Sequence, residues 1–330
     1  MTMREELRTW IQTRFPQPIV TELTGDASTR RFFRVSPAEG GEAVILMDYG
    51  APFDGESDDQ RLTAIFLKGG LPVPRILEAA PDAGCLLLED LGDRMLEDEF
   101  EAAKDKGETP KLWLLAAQLA GRIAREGSKA LADSDRRQGP TLDAERFRFE
   151  MRFFIENFVE KHRKIRGDHG VLRGLLGKLA AEAARTPRLV LCHRDFHSRN
   201  LMVRPGPNLA MVDIQDARWG PDTYDLASLI FDAYVELDET WFESLIGRYL
   251  DTAGIDDDAD LRHRFHVVAA ERMIKALGTF GHQLEVVGNT RYVDAMSRTL
   301  RRLDRLLPRN KETSAIHDAF HALDLFEPHP

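Results

Sequence analysis

Two cysteines in 330 residues, Cys85 and Cys192, lie far apart and outside any metal-ligand spacing, so neither a disulfide framework nor a cysteine zinc site is expected. No run approaches the ~20 consecutive apolar residues of a membrane span. The first fifteen residues mix charges with apolar side chains, unlike a secretory leader. The expectation is a cytoplasmic protein with no membrane partner. Positive charge is also in short supply. With 45 Lys and Arg against 55 Asp and Glu, the net charge of -10 argues against nucleic acid or an anionic lipid surface as a partner. Internal repeats, low-complexity tracts and long linkers are missing as well, which excludes solenoids and tethered modules. What is present is 43% hydrophobic and 30% charged residues, enough apolar material for a packed interior. The length predicts about two cores or lobes.

Leu7, Trp10, Ile11 and Phe15 recur at helical spacing ahead of Pro16 and Pro18, predicting a helix that stops there. Phe32, Phe33, Arg34 and Val35, then residues 43–47, read as the two strands of a β-hairpin around a turn-prone connection. A helix is predicted over residues 58–68, ending at Gly69 and Gly70, and a strand near Ile76 and Leu77 follows. The run Cys85-Leu86-Leu87-Leu88 is a buried-strand pattern, and Glu89-Asp90-Leu91-Gly92 turns the chain out of the sheet. The boundary is therefore placed at residue 91, with an N-terminal lobe over 1–91 and a C-terminal lobe over 92–330. Helices dominate the second part, including residues 111–125 and the stripe Phe147, Met151, Phe154, Phe158. Short apolar runs at 189–192 and 209–212 are the exceptions, and each ends in a cluster of polar residues.

Those clusters are Cys192-His193-Arg194-Asp195-Phe196-His197-Ser198-Arg199-Asn200 and Asp213-Ile214-Gln215-Asp216. Phosphoryl transfer from a nucleotide needs a group that orients the acceptor hydroxyl and takes its proton, plus hard oxygen ligands for magnesium. Asp195, Asn200 and Asp213 supply that set. A five-residue step lets one loop present both a base, Asp195, and a metal ligand, Asn200.

His193-Arg194-Asp195 with Asn200 resembles the catalytic loop of the protein-kinase-like fold, and Asp213 falls where that fold's magnesium-binding aspartate lies. Phe196-His197 and Tyr224-Asp225-Leu226-Ala227 are similar to the aminoglycoside phosphotransferase and choline kinase branch. Asp26-Ala27-Ser28-Thr29-Arg30-Arg31-Phe32-Phe33-Arg34-Val35, Asp213-Ile214-Gln215-Asp216-Ala217 and the segment from Arg272 to Phe280 resemble the bacterial cell-wall-recycling kinases of N-acetylmuramate and N-acetylglucosamine. The resemblance covers about residues 20 to 300. It implies an α+β, two-lobed fold with a small β-rich N-lobe and a larger helical C-lobe, ATP and Mg2+ as donor and cofactor, and a small-molecule amino sugar as partner. It further implies Asp195 as catalytic base, Asn200 and Asp213 as magnesium ligands, and Asp225 as a brace of the catalytic loop. His193 is read as structural support.

Ser28 and Arg30 precede the first hairpin strand, where backbone N–H groups and side chains would meet phosphates. Glu89 and Leu91 occupy the resemblance's inter-lobe hinge, where backbone groups read adenine. Asp48, Glu150 and His197 are the acceptor-side candidates. Asp222 and Asp225 have the spacing of a helix cap, which stands beside the bracing role. Lys275 sits in an apolar helical segment and reads equally as a snorkelling side chain or as one reaching toward the site. The sequence departs from the kinase pattern at Met47, where a phosphate-binding lysine is usual; an arginine between Thr29 and Arg34 could replace its charge. Competing expectations are an aminoglycoside, choline or other hydroxyl acceptor, a non-catalytic nucleotide-binding scaffold, and a hydrolytic metal centre built on His193, Asp195, His197 and Asp213.

Overall fold

A computed structural model of the chain describes residues 3–23, 30–38, 40–104, 109–134, 139–206, 208–258 and 260–327. It opens with helix α1 (Glu5–Gln12), which buries Leu7 and Ile11 against one face of a five-stranded sheet. The strands are β1 (Ile19–Leu23), β2 (Arg31–Ser36), β3 (Val44–Asp48), β4 (Ile76–Ala80) and β5 (Cys85–Glu89), in the order β1-β2-β3-β5-β4. All neighbours are antiparallel. The predicted hairpin is β2 and β3, with Phe32 opposite Met47 and Val35 opposite Val44. Strand β1 was not anticipated: its residues are mostly exposed, so it has no apolar alternation to read.

Alternation along the hairpin sorts side chains to two faces. Phe33, Val35, Val44 and Leu46 join Leu7 and Ile11 in a small core under α1. Phe32, Arg34, Ile45 and Met47 face the opposite way, into a cleft. Helix α2 (Asp58–Lys68) starts at a capping box between Ser57 and Gln60. Its buried Leu62, Ile65 and Phe66 belong to the larger core, which the C-terminal helices complete.

That second part contains α3 (Leu96–Lys104), α4 (Thr109–Arg122), α5 (Ser128–Ala132), α6 (Ala144–Phe154), α7 (Gly170–Ala183), α8 (Tyr224–Ile230), α9 (Phe242–Ala253), α10 (Leu261–His282), α11 (Val293–Leu306) and α12 (Lys311–Ala322). The aromatic stripe buries Phe147, Met151, Phe154 and Phe158, although α6 widens into π-type turns after Phe154. Helix α10 lies tight against it. A Cβ at Gly278 would come within 2.8 Å of the Phe154 backbone, and one at Gly281 within 2.6 Å of the Asn157 carbonyl. Only glycine allows this approach, which fixes how far α10 projects its polar residues toward the cleft. Two short ribbons complete the fold: β6 (Leu189–Cys192) with β9 (Arg218–Pro221), and β7 (Leu201–Arg204) with β8 (Asn208–Met211). No helix among the described residues is long and apolar enough to cross a membrane.

Candidate active site

The cleft between the sheet and the helical part holds a cavity of about 570 Å³. Phe32, Ile45, Leu88 and Met202 give it apolar walls, and Arg30, Asn200 and Asp213 are among its polar lining residues. This size and pattern suit a ligand with one flat apolar part and one charged part.

The loop after β6 carries His193, Arg194 and Asp195. Its backbone is strained, with Arg194 at φ +83°. Asp225 offsets that strain by accepting from the backbone N–H groups of His193 at 2.6 Å and Arg194 at 3.0 Å. Asp225 therefore braces the loop, and Thr223 rather than Asp222 precedes α8 without a side-chain cap bond. Nε2 of His193 lies 2.9 Å from the Val212 carbonyl, tying this loop to the one that presents Asp213. Asp213 is also in the left-handed region, at φ +63°. Its carboxylate is 44% exposed and accepts from Gln215 Nε2 at 2.8 Å.

Asn200 donates through Nδ2 to the Asp195 carbonyl at 2.9 Å, which leaves its Oδ1 available to a ligand. The donor set of Asn200 Oδ1 and the Asp213 carboxylate, both lining the cavity, is the hard-oxygen chemistry that magnesium prefers. Asp195 is flanked by cations from α10. Lys275 Nζ donates to Oδ1 at 3.0 Å, and Arg272 Nη1 lies 3.7 Å from the same atom. Arg272 also donates to the Arg194 carbonyl at 2.7 Å and the Tyr224 hydroxyl at 3.1 Å. Burial alone would raise the Asp195 pKa, but Lys275, Arg272 and Arg194 together hold it well below the usual carboxylate range. Burial in turn lowers the Lys275 pKa against the opposing pull of Asp195. Of the two readings of Lys275, the side chain turns toward Asp195 rather than out to solvent.

Glu150 does not border the cleft. It is 4% exposed and accepts from Arg194 Nη2 and Arg146 Nε, each at 3.0 Å. Glu271 is fully buried beside it, where burial and then the Glu150 charge push its pKa well up. This pair lies beneath Arg194 and supports the loop rather than an acceptor. Asp48 is not brought to the site either. On β3 it points away from Met47, to the α1 side, where it is 2% exposed and held by Arg4 Nη2 at 2.6 Å and the Gly50 N–H at 2.8 Å. Period-two alternation makes adjacent residues face opposite ways, which excludes Asp48 from a cleft that Met47 lines. His197 packs edge-on against Tyr234 at 5.0 Å, with Nδ1 buried and without a partner; burial lowers its pKa, so the ring is neutral at pH 7.

Met47 stands where a lysine is usual, and Arg30 lies across it. Arg30 Nη1 is 3.9 Å from the Met47 sulfur and 2.6 Å from Asp59 Oδ1 on α2, and Nη2 is 3.6 Å from Asp213 Oδ1. Tyr49 donates its hydroxyl to Asp59 Oδ2 at 2.7 Å. Asp59 escaped sequence reasoning because an acid in the first turn of a helix reads as a dipole partner. Arg272 was given no role either, although it opens the Arg272 to Phe280 segment that carries the resemblance and stands three residues from Lys275. Glu89 and Leu91 both line the cavity, and the Glu89 side chain is engaged by Arg75 at 3.1 Å. Ser28 lies outside the described residues.

The sequence matches the phosphotransferase enzyme family over residues 19–266. It is 29% identical to an N-acetylmuramate/N-acetylglucosamine kinase of Neisseria meningitidis serogroup B, covering 96% of this chain and 95% of that protein. A protein of the same name from Pseudomonas aeruginosa is 27% identical, over 97% of this chain and 96% of its own. Among solved structures, a choline kinase from Streptococcus pneumoniae superposes with a TM-score of 0.64 at 12% identity, over 91% of this chain and 100% of that one. These likenesses and the two-part architecture identify the two-lobed protein-kinase-like α+β fold, and the chain belongs to the phosphotransferase enzyme family.

Proposed function

We propose that this phosphotransferase uses ATP to phosphorylate the anomeric hydroxyl of N-acetylmuramate and N-acetylglucosamine. The near-full-length similarity to relatives of that name supports the substrate class. The observation that carries the reading is the pairing of Asp195 with Lys275 and Arg272. An aspartate held ionised by two cations is a weak base. An anomeric hydroxyl is more acidic than an ordinary alcohol, so it needs only orientation and a late proton transfer to Asp195, while the nearby cations favour the oxyanion that results. The same cations oppose a positively charged acceptor, which disfavours the choline and aminoglycoside alternatives. His197 Nδ1, buried and without a partner, is a hydrogen-bonding group left for the sugar.

On the donor side, the adenine edge would meet the backbone of residues 89–91, and the apolar walls would hold its faces. Arg30, fixed by Asp59, supplies the phosphate-binding cation that Met47 cannot. Asn200 and Asp213 would hold magnesium, which neutralises phosphate charge when bound. The test is sugar-dependent ADP release from the purified protein, measured against N-acetylglucosamine, N-acetylmuramate, kanamycin and choline. Release with the amino sugars alone supports the reading; release only with kanamycin or choline replaces it.

A further inference from the structure

Far from the loops just described in sequence, α11 and α12 bring together Asp304, His317 and His321. The two histidines are one helical turn apart on α12, so both rings face α11. His317 Nε2 lies 2.9 Å from Asp304 Oδ1, His321 Nε2 lies 3.2 Å from the same oxygen, and the two Nε2 atoms are 3.2 Å apart. Three electron-rich atoms thus form a closed triangle. Each neutral ring can place at most one proton on its Nε2, so both protons can point at Asp304, but the contact between the two nitrogens is then left with no hydrogen bond of its own. A cation at the centre satisfies all three edges. With zinc–nitrogen and zinc–oxygen bonds of about 2.0–2.1 Å, ligand atoms at the corners of a tetrahedron stand about 3.3 Å apart, close to the separations seen here.

The surroundings also suit an ion. Phe326 packs on both imidazoles, at 5.5 Å from His317 and 4.9 Å from His321, and it rests on the buried Phe320. This apolar backing covers one side, while His321 at 53% and Asp304 at 45% exposure leave an opening to solvent. Among the described residues this is the cluster of metal-ligating side chains whose donor atoms converge, and it shares no residue with the catalytic loops.

We propose that Asp304, His317 and His321 form a binding site for a divalent ion of the zinc class, with water completing a four-coordinate shell. Its role is a clamp between α11 and α12. Those helices pack behind α10, and His266 of α10 is hydrogen-bonded to Thr313 of α12 at 2.9 Å. The clamp therefore stiffens the support of the helix that carries Arg272 and Lys275.

The full chain, freed of metal with a chelator and dialysed, is titrated calorimetrically with zinc alone beside the H317A/H321A variant. A single His321→Ala variant, whose ring is half exposed, serves where the double variant folds poorly. The wild-type protein is expected to bind one more equivalent of zinc than the double variant. His321→Ala should weaken that equivalent by at least about tenfold. Zinc should raise the wild-type Tm by roughly a few degrees and leave that of the double variant unmoved. Cobalt in place of zinc should give the intense visible bands of four-coordination in the wild type only. Equal stoichiometry and equal Tm shifts in both proteins, or the weak spectrum of six-coordinate cobalt, would overturn the site.

Discussion

Replacing Arg30 with methionine tests the transposed phosphate cation. Its side chain is only 12% exposed, bonded to Asp59 and 3.6 Å from Asp213, so its position is fixed before a nucleotide arrives. A hydrogen bond to a charged group contributes about 1.5–3 kcal/mol, which corresponds to roughly 10- to 150-fold in affinity. The KM for ATP in R30M should therefore rise within that range, with a smaller change in kcat if the contact is made equally in the ground and transition states. R30K should fall between, since lysine keeps the charge but loses the fork that spans Asp59 and the phosphate. Asp59 complicates the single variant, because losing Arg30 leaves its largely buried carboxylate with Tyr49 as a neutral partner. R30M/D59N removes both charges: stability by denaturant unfolding should recover while the KM for ATP stays high. If R30M alters the KM for ATP and kcat by less than about twofold, the assignment fails.

The Asp195→Asn variant should retain nucleotide binding and lose turnover by about a hundredfold or more, read by ADP release beside calorimetric ATP binding; near-normal turnover removes Asp195 from the chemistry. Lys275→Met deletes the nearer cation, so the Asp195 pKa rises and the acid limb of the kcat/KM profile moves to higher pH. An unmoved limb contradicts that electrostatic role. His266 on α10 has its pKa lowered by burial to about 4 from an ordinary 6.5. Its folded-state value lies below its unfolded one, so stability present above pH 6.5 is lost as the pH falls toward 4, by at most about 3 kcal/mol. H266Q should flatten that loss when urea unfolding is compared at pH 7 and pH 5.

The hairpin, α2 and strands β6 and β8 were readable because each couples an apolar pattern to a clear breaker, such as Gly69-Gly70 or the polar cluster after Cys192. Strand β1 was not, since an exposed edge strand owes its conformation to backbone pairing with β2 rather than to its own side chains. Asp195, Asn200 and Asp213 could be picked out together because two of them share one loop and the third follows the next ribbon. Their electrostatic setting could not. Lys275 and Arg272 lie about 80 residues away in sequence and reach Asp195 only because Gly278 and Gly281 let α10 pack closely on α6 and its extension. Asp48 and Glu150 show the opposite failure. Asp48, next to Met47, and Glu150, beside the aromatic stripe, were read as acceptor-side candidates, whereas strand alternation turned Asp48 toward Arg4 and burial gave Glu150 to Arg194.

The most direct test of the central claim compares N-acetylglucosamine with its methyl glycoside, in which the anomeric oxygen is blocked and every other hydroxyl remains. Transfer guided by a weakly basic Asp195 to the most acidic hydroxyl predicts ADP release with the free sugar, a phosphorus NMR signal coupled to the anomeric proton, and no reaction with the glycoside. Similar rates with both sugars would place the phosphate on another hydroxyl and contradict the account.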